Sequence, residues 1–286
     1  MHLSNSWYGH AAILARYAGL DHPPPIWGKL QHGWNVATGF TPNEPPPLMR
    51  GYVWSGRNLS CARQRGLRGV TALGAPFLYL IRTEAHRVRG SLGTIAYPFH
   101  GWERQEAVGD HAALARELRE REGGAVTVSL YWREYEREPL RDAYVQVGHR
   151  VICHGHREDP TFLERQLREL RMHRRVVANR VGTALWYGGI LEREIAVYGP
   201  IMGLEDTSEG EKFRALQEER WPELSGDVQG SRARELAEEE LGSGFVMDPG
   251  ELQQALGWSS WRRSLSPIFA PPLRTLQAAK RAFHGW

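Results

Sequence analysis

Two turns carry the same three residues in the same order, His32-Gly33-Trp34 and His100-Gly101-Trp102, and the second runs on into Glu103-Arg104. Histidine supplies a proton acceptor or a phosphate donor near neutral pH. Glycine lets the backbone approach a ligand, and tryptophan offers a flat apolar face on which a sugar ring stacks. Either turn alone reads more readily as a capped loop with a core tryptophan, and two such turns at one expected edge bring the two readings level. As a candidate base His32 ranks first, His10 second, and His100 with Glu103 third. His10 opens a helix, where the dipole keeps an imidazole neutral and able to accept a proton, whereas Asp110 is most simply the cap of the helix from Ala112.

The second half carries a different chemistry. His154-Gly155-His156-Arg157 and Asn179-Arg180-Val181-Gly182-Thr183-Ala184 each follow a β-branched run and precede an apolar helical pattern. A helix start presents backbone N–H groups and the positive end of the helix dipole, so such a turn attracts a phosphate, and Arg180 adds a full charge. Thr183 reads as the N-cap, and Asp159-Pro160 as the cap and first residue of the helix with Leu163, Leu167 and Leu170 on one face. The plain alternative is an ordinary strand-to-helix turn with a surface arginine. His154 and His156 would share one face of an extended segment and could chelate a metal, but no third ligand has a telling spacing and there is no Asp-x-Asp. The expectation is no metal.

These residues need a scaffold of alternating strands and helices. Strands are expected at 25–31, 52–55, 70–74, 94–99, 126–131, 149–153, 176–178 and 194–198, each followed by a polar turn, which argues for parallel α/β architecture with the turns along the carboxyl edge. Gly123-Gly124 reads as a hinge. It divides the chain into an N-terminal domain (1–123), a second domain (124–258) and a C-terminal crossover tail (259–286). Acidic amphipathic helices are expected at 208–221 and 231–241, and another from Asp248-Pro249 to Gly257.

The order of a His/Gly/Arg turn, a Gly182-Thr183-Ala184 turn and then a strand ending in Tyr198-Gly199-Pro200 resembles the nucleotide-sugar-binding half of GT-B-fold glycosyltransferases. The bacterial surface-polysaccharide enzymes, of sialyltransferase-like and CDP-glycerol-transferase-like kinds, are the nearest in flavour. The resemblance covers about the second half of the chain. It implies two Rossmann-like domains facing each other across a cleft, with C-terminal helices packing back on the first. The donor would bind at Arg133, His154, Gly155, His156, Arg157 and the 179–184 turn. The acceptor would lie against Trp7, Trp34, Arg57 and Trp102. The chain departs from many retaining members in lacking an acidic residue after the Gly-Thr-Ala helix. The implied activity is metal-independent glycosyl transfer from a nucleotide sugar to a glycan or small-molecule acceptor, with no cofactor beyond that co-substrate. A nucleotide-sugar epimerase or hydrolase, or a non-catalytic carbohydrate-binding protein, are the alternatives.

Composition bounds the remainder. The 286 residues are 41% hydrophobic and 24% charged, as in a folded domain, and a net charge of +3 is spread among interleaved acids and bases rather than gathered in a stripe. Nucleic acid is therefore not an expected partner. The longest apolar stretch, 71–81, is too short to cross a bilayer, and a cytoplasmic location is expected. The aromatic and basic tail suits a membrane interface, but packing against the protein is preferred to peripheral membrane contact. The two cysteines, Cys61 and Cys153, have no metal or disulfide spacing.

Overall fold

The computed structural model describes residues 2–41, 45, 49–84, 92–102, 105–204 and 206–258; Glu103 and the expected tail 259–286 lie outside the described residues. The chain opens with α1 (His10–Tyr17) and three short parallel strands, β1 (Lys29–Leu30), β2 (Gly51–Val53) and β3 (Val70–Ala72), paired in chain order with α2 (Gly56–Gln64) and α3 (Pro76–Thr83) around them. Local signals set these elements. Ser55 caps α2 by accepting from the Asn58 N–H, and Pro76 occupies the first turn of α3, where its missing N–H costs nothing.

The rest of the chain supplies β4 (Leu92–Tyr97), β5 (Ala107–Val108), α4 (His111–Arg121), β6 (Thr127–Ser129), α5 (Trp132–Glu136), α6 (Glu138–Val145), β7 (Arg150–Ile152), α7 (Phe162–Met172), β8 (His173–Ala178), α8 (Thr183–Ile190), β9 (Glu194–Val197), β10 (Gly203–Leu204), α9 (Thr207–Arg220), α10 (Gly230–Leu241) and α11 (Pro249–Leu256). Five of these strands form a parallel sheet in the order β7-β6-β4-β8-β9, while β5 and β10 make a small antiparallel ribbon. By chain position the five run third, second, first, fourth, fifth. This is the doubly wound Rossmann order, with a switch point beside β4. The protein is thus α/β with two parallel sheets, as the alternation of elements led us to expect.

The partition between the sheets differs from the expected hinge at Gly123-Gly124. β4, which precedes that hinge, pairs with both β6 and β8, which follow it. The larger sheet therefore begins near residue 92, and Gly123-Gly124 only links α4 to β6. One core also serves both sheets: Phe77 of α3 stacks on Tyr187 of α8 at 3.9 Å, and Trp54 lies 6.4 Å from the same ring.

Central β8 is buried on both faces through Val176 and Val177, as a parallel strand flanked by helices must be. The adjoining glycines of α8 allow the tight packing. A Cβ on Gly188 would stand 2.7 Å from Val176 Cγ2, and one on Gly189 would stand 2.7 Å from the Ala233 carbonyl of α10. The last described helix returns to the first unit: the Tyr52 hydroxyl donates to the Ala255 carbonyl, Gln253 donates to Ala18, and the Trp258 indole donates to Pro24.

Candidate functional site

The carboxyl ends of β4, β6, β7 and β8 meet the turn after β1 around a cavity of about 540 Å³. It lies at the switch point of the larger sheet, where open α/β sheets bind ligands. Two turns singled out from sequence touch here. The Trp34 N–H donates to the Thr183 hydroxyl at 3.0 Å, so the His32-Gly33-Trp34 turn of one sheet docks on the start of α8 from the other. Gly182, not Thr183, is the N-cap of α8, and Thr183 is its first residue. The contact is braced behind the cavity by buried Glu240 of α10, which accepts from the Trp34 indole at 2.9 Å and from Arg57 at 2.7 Å. Burial raises the Glu240 carboxyl above its ordinary range.

Four candidate histidines line the cavity: His10, His32, His100 and His154. His10 is 1% exposed, and burial, reinforced by the nearby charge of His32, pulls its imidazole down to about 3. It is neutral at physiological pH but too weakly basic to be an efficient proton acceptor. His154 is likewise buried and lowered to about 4 by burial, and the Tyr97 hydroxyl stands 3.2 Å from its Nε2. Burial raises Tyr97, which stays protonated. His32 is half-buried at the end of β1, with the Trp7 ring edge-on at 4.8 Å. His100 is exposed and stacks on Tyr131 at 4.4 Å.

The turn expected to bind an anion is in the cavity, with Arg180, Val181, Gly182, Thr183 and Ala184 all in its wall. Its electrostatics differ from expectation. Both terminal nitrogens of Arg180 are bound by Glu209 of α9, at 2.7 and 2.6 Å, and that ion pair lowers the Glu209 carboxyl. The guanidinium is sandwiched between Phe99 at 4.3 Å and Phe213 at 4.0 Å. The Val181 N–H is committed to the Gln217 side chain at 2.9 Å. Asn179 is a structural bracket instead: its side chain accepts from the Phe99 N–H and donates to the Pro200 carbonyl, tying three strand ends together.

The other expected site residues among the described ones fall outside the lining of the cavity. Gly155 has a φ of +98°, which breaks the extended segment, so His154 turns inward while His156 packs at a tilt against Trp132, the ring centroids 4.6 Å apart. The shared face expected of these two histidines is not formed, and no cluster of three metal-ligating side chains occurs among the described residues. Arg133 stands 5.9 Å from the Trp132 ring, and Arg157 lies 3.7 Å over Trp7. Asp159 is not the cap of α7, which begins at Phe162; its carboxylate turns back on Thr161 and Arg165. Arg57 serves Glu240 and Glu239, and Trp102 is exposed with its indole N–H on Gln105. Of the four acceptor-side residues only Trp34 reaches the cavity. Sequence reasoning missed Tyr97, Gln166, Glu209 and Phe213. Tyr97 closes a visible strand, but Glu209 and Phe213 lie on a helix about 30 residues from Arg180 with no local signal.

No family model and no curated protein matches the chain. Among solved structures it is similar to the UDP-GlcNAc 2-epimerase from Neisseria meningitidis bound to UDP-GlcNAc, with 12% identity over 77% of this chain and 68% of that one and a TM-score of 0.38. No helix among the described residues is long and apolar enough to cross a membrane.

Proposed function

We propose that the cavity binds a nucleotide-activated sugar and that the protein transfers this sugar, without a metal, to a glycan or small-molecule acceptor. The observation that carries the reading is the contact at the switch point, where the His32-Gly33-Trp34 turn of one parallel sheet is docked on the start of α8 after the central strand of the other. In this reading the leaving phosphate lies against the N–H groups from Gly182 to Ala184 and the Arg180 guanidinium, donors fixed before the reaction and aimed at the charge that builds as the glycosidic bond breaks. His32 faces the same space from the first sheet and takes the proton from the acceptor hydroxyl. Neutral His10 and His154 hydrogen-bond sugar hydroxyls.

One observation favours a second reading, in which the enzyme acts on the donor alone as an epimerase or hydrolase. Trp7, Arg57 and Trp102 lie outside the lining of the cavity, so most of the expected acceptor surface is missing from it. Incubating the protein with UDP-, GDP-, CDP-, dTDP- and CMP-sugars, with and without oligosaccharide acceptors, separates the two. Glycosyl transfer requires a sugar-extended product only when acceptor is present. A donor changed equally in its absence assigns the epimerase or hydrolase reading, and nucleotide-sugar binding without turnover assigns a carbohydrate-binding role.

A further inference from the structure

Arg180 and Glu209 are the only arginine, lysine or acidic side chains among the described residues that line the cavity, and they are paired with each other. Their surroundings are unequal. The Arg180 side chain is 13% exposed and clamped between two phenylalanine rings, whereas the Glu209 side chain is 44% exposed, near the start of α9. Later turns of that helix are tied down separately: Arg214 donates to the Gly199 carbonyl at 2.9 Å, and Gln217 accepts from Val181. The fork of Arg180 is thus a fixed seat, and its present occupant, held besides, among the described residues, only by a long 3.4 Å hydrogen bond from the Leu204 N–H, can swing into water without moving the helix body.

A carboxylate and a phosphate offer the same pair of oxygens to a guanidinium fork. We infer that Glu209 is the resident occupant of a phosphate seat and that a phosphate or diphosphate ester entering the cavity takes its place on Arg180. The inference rests on the reading of the 180–184 turn as the phosphate-binding side. It adds that the unliganded cavity is electrically closed, and that the ligand must bring its own negative charge to open it. A neutral sugar leaves the pair intact, so it cannot draw on the arginine charge. The exchange breaks one ion pair and forms another, with no covalent step. The pair is bidentate, but the Glu209 carboxylate is already half in water and loses little on swinging out, so its competition against a phosphate is modest.

The test is calorimetric titration of inorganic pyrophosphate into the wild-type protein and the E209Q, E209A and R180A variants, with thermal unfolding to confirm that each is folded. Removing the competing carboxylate should tighten pyrophosphate about three- to tenfold in both Glu209 variants. R180A should weaken it tenfold or more. Equal or weaker binding in E209Q and E209A, or no binding to any of the four proteins, overturns the inference. UDP, GDP, CDP and dTDP in the same titration separate this from the functional reading. If both Glu209 variants gain affinity for pyrophosphate but no nucleotide binds more tightly than pyrophosphate itself, the seat stands and the nucleotide-sugar assignment falls.

Discussion

Acidification should destabilise this protein well above the pH at which carboxylates protonate, and His10 should account for a measurable share. In the unfolded chain its imidazole titrates near 6.5, while in the folded protein burial and the neighbouring His32 hold it at about 3. Between those values the unfolded state binds a proton that the folded state refuses. The contribution is therefore fully present above pH 6.5 and is lost progressively as pH falls toward 3. At pH 5 the loss from His10 alone is about 2 kcal/mol, from about 1.4 kcal/mol per pH unit over the pH 6.5 to 5 interval. His154, lowered to about 4, adds a similar amount at that pH. Replacing His10 by glutamine removes one of these titrations and leaves the other. Urea unfolding of both proteins at pH 7.5, 6.5, 5.5 and 5.0 reads the effect. Whatever the cost of the substitution at pH 7.5, the difference in stability between wild type and H10Q should shift by about 2 kcal/mol in favour of the variant by pH 5. A difference that does not change with pH would refute the burial argument for His10.

Three other substitutions probe how the site is held. Gly188→Ala should lower stability by about 1–2 kcal/mol in thermal unfolding, because overpacking against Val176 outweighs the gain in helix propensity; a stabilised variant would mean that α8 does not press on β8. Thr183→Val keeps the shape but removes the acceptor for the Trp34 N–H, and should cost about 1–2 kcal/mol by urea unfolding. An unchanged midpoint would show that the two sheets do not rely on that contact. His32→Ala should cut turnover about a hundredfold with nucleotide affinity unchanged, whereas full turnover, measured under the same conditions, would move the base elsewhere.

The elements were largely legible because each carries its own local pattern. β-branched runs gave the strands, the Leu163, Leu167 and Leu170 face gave α7, and Asp110 caps α4 through the Ala113 N–H as its position implied. Strand partnership was not legible. Nothing local in 92–97 says that it pairs with strands 30 and 80 residues later, so from sequence alone the glycine pair after α4 reads as a domain hinge. The site divided along the same line. His32, Trp34, His100, His154 and the 180–184 turn reach the cavity because strand ends in a parallel sheet gather at one edge, and His10 reaches it from the start of α1. His156 was misplaced by a single residue of left-handed backbone at Gly155, and Trp102 lies exposed with its indole N–H on Gln105. Whether the Arg180 fork is occupied depends on Glu209, and the basicity of His10 depends on what covers it, so neither could be read from neighbours in sequence.

The most direct test of the account is a nucleotide titration followed by thermal shift. At a hundred times its dissociation constant, a ligand that binds only the folded state should stabilise it by about 2.7 kcal/mol. We expect at least one of the UDP, GDP, CDP, CMP and dTDP series to raise the melting temperature, and Arg180→Ala to weaken that nucleotide by about 1–3 kcal/mol. A flat response to the whole series, or full nucleotide affinity in the Arg180 variant, would contradict the assignment of the switch-point cavity as a nucleotide-sugar site.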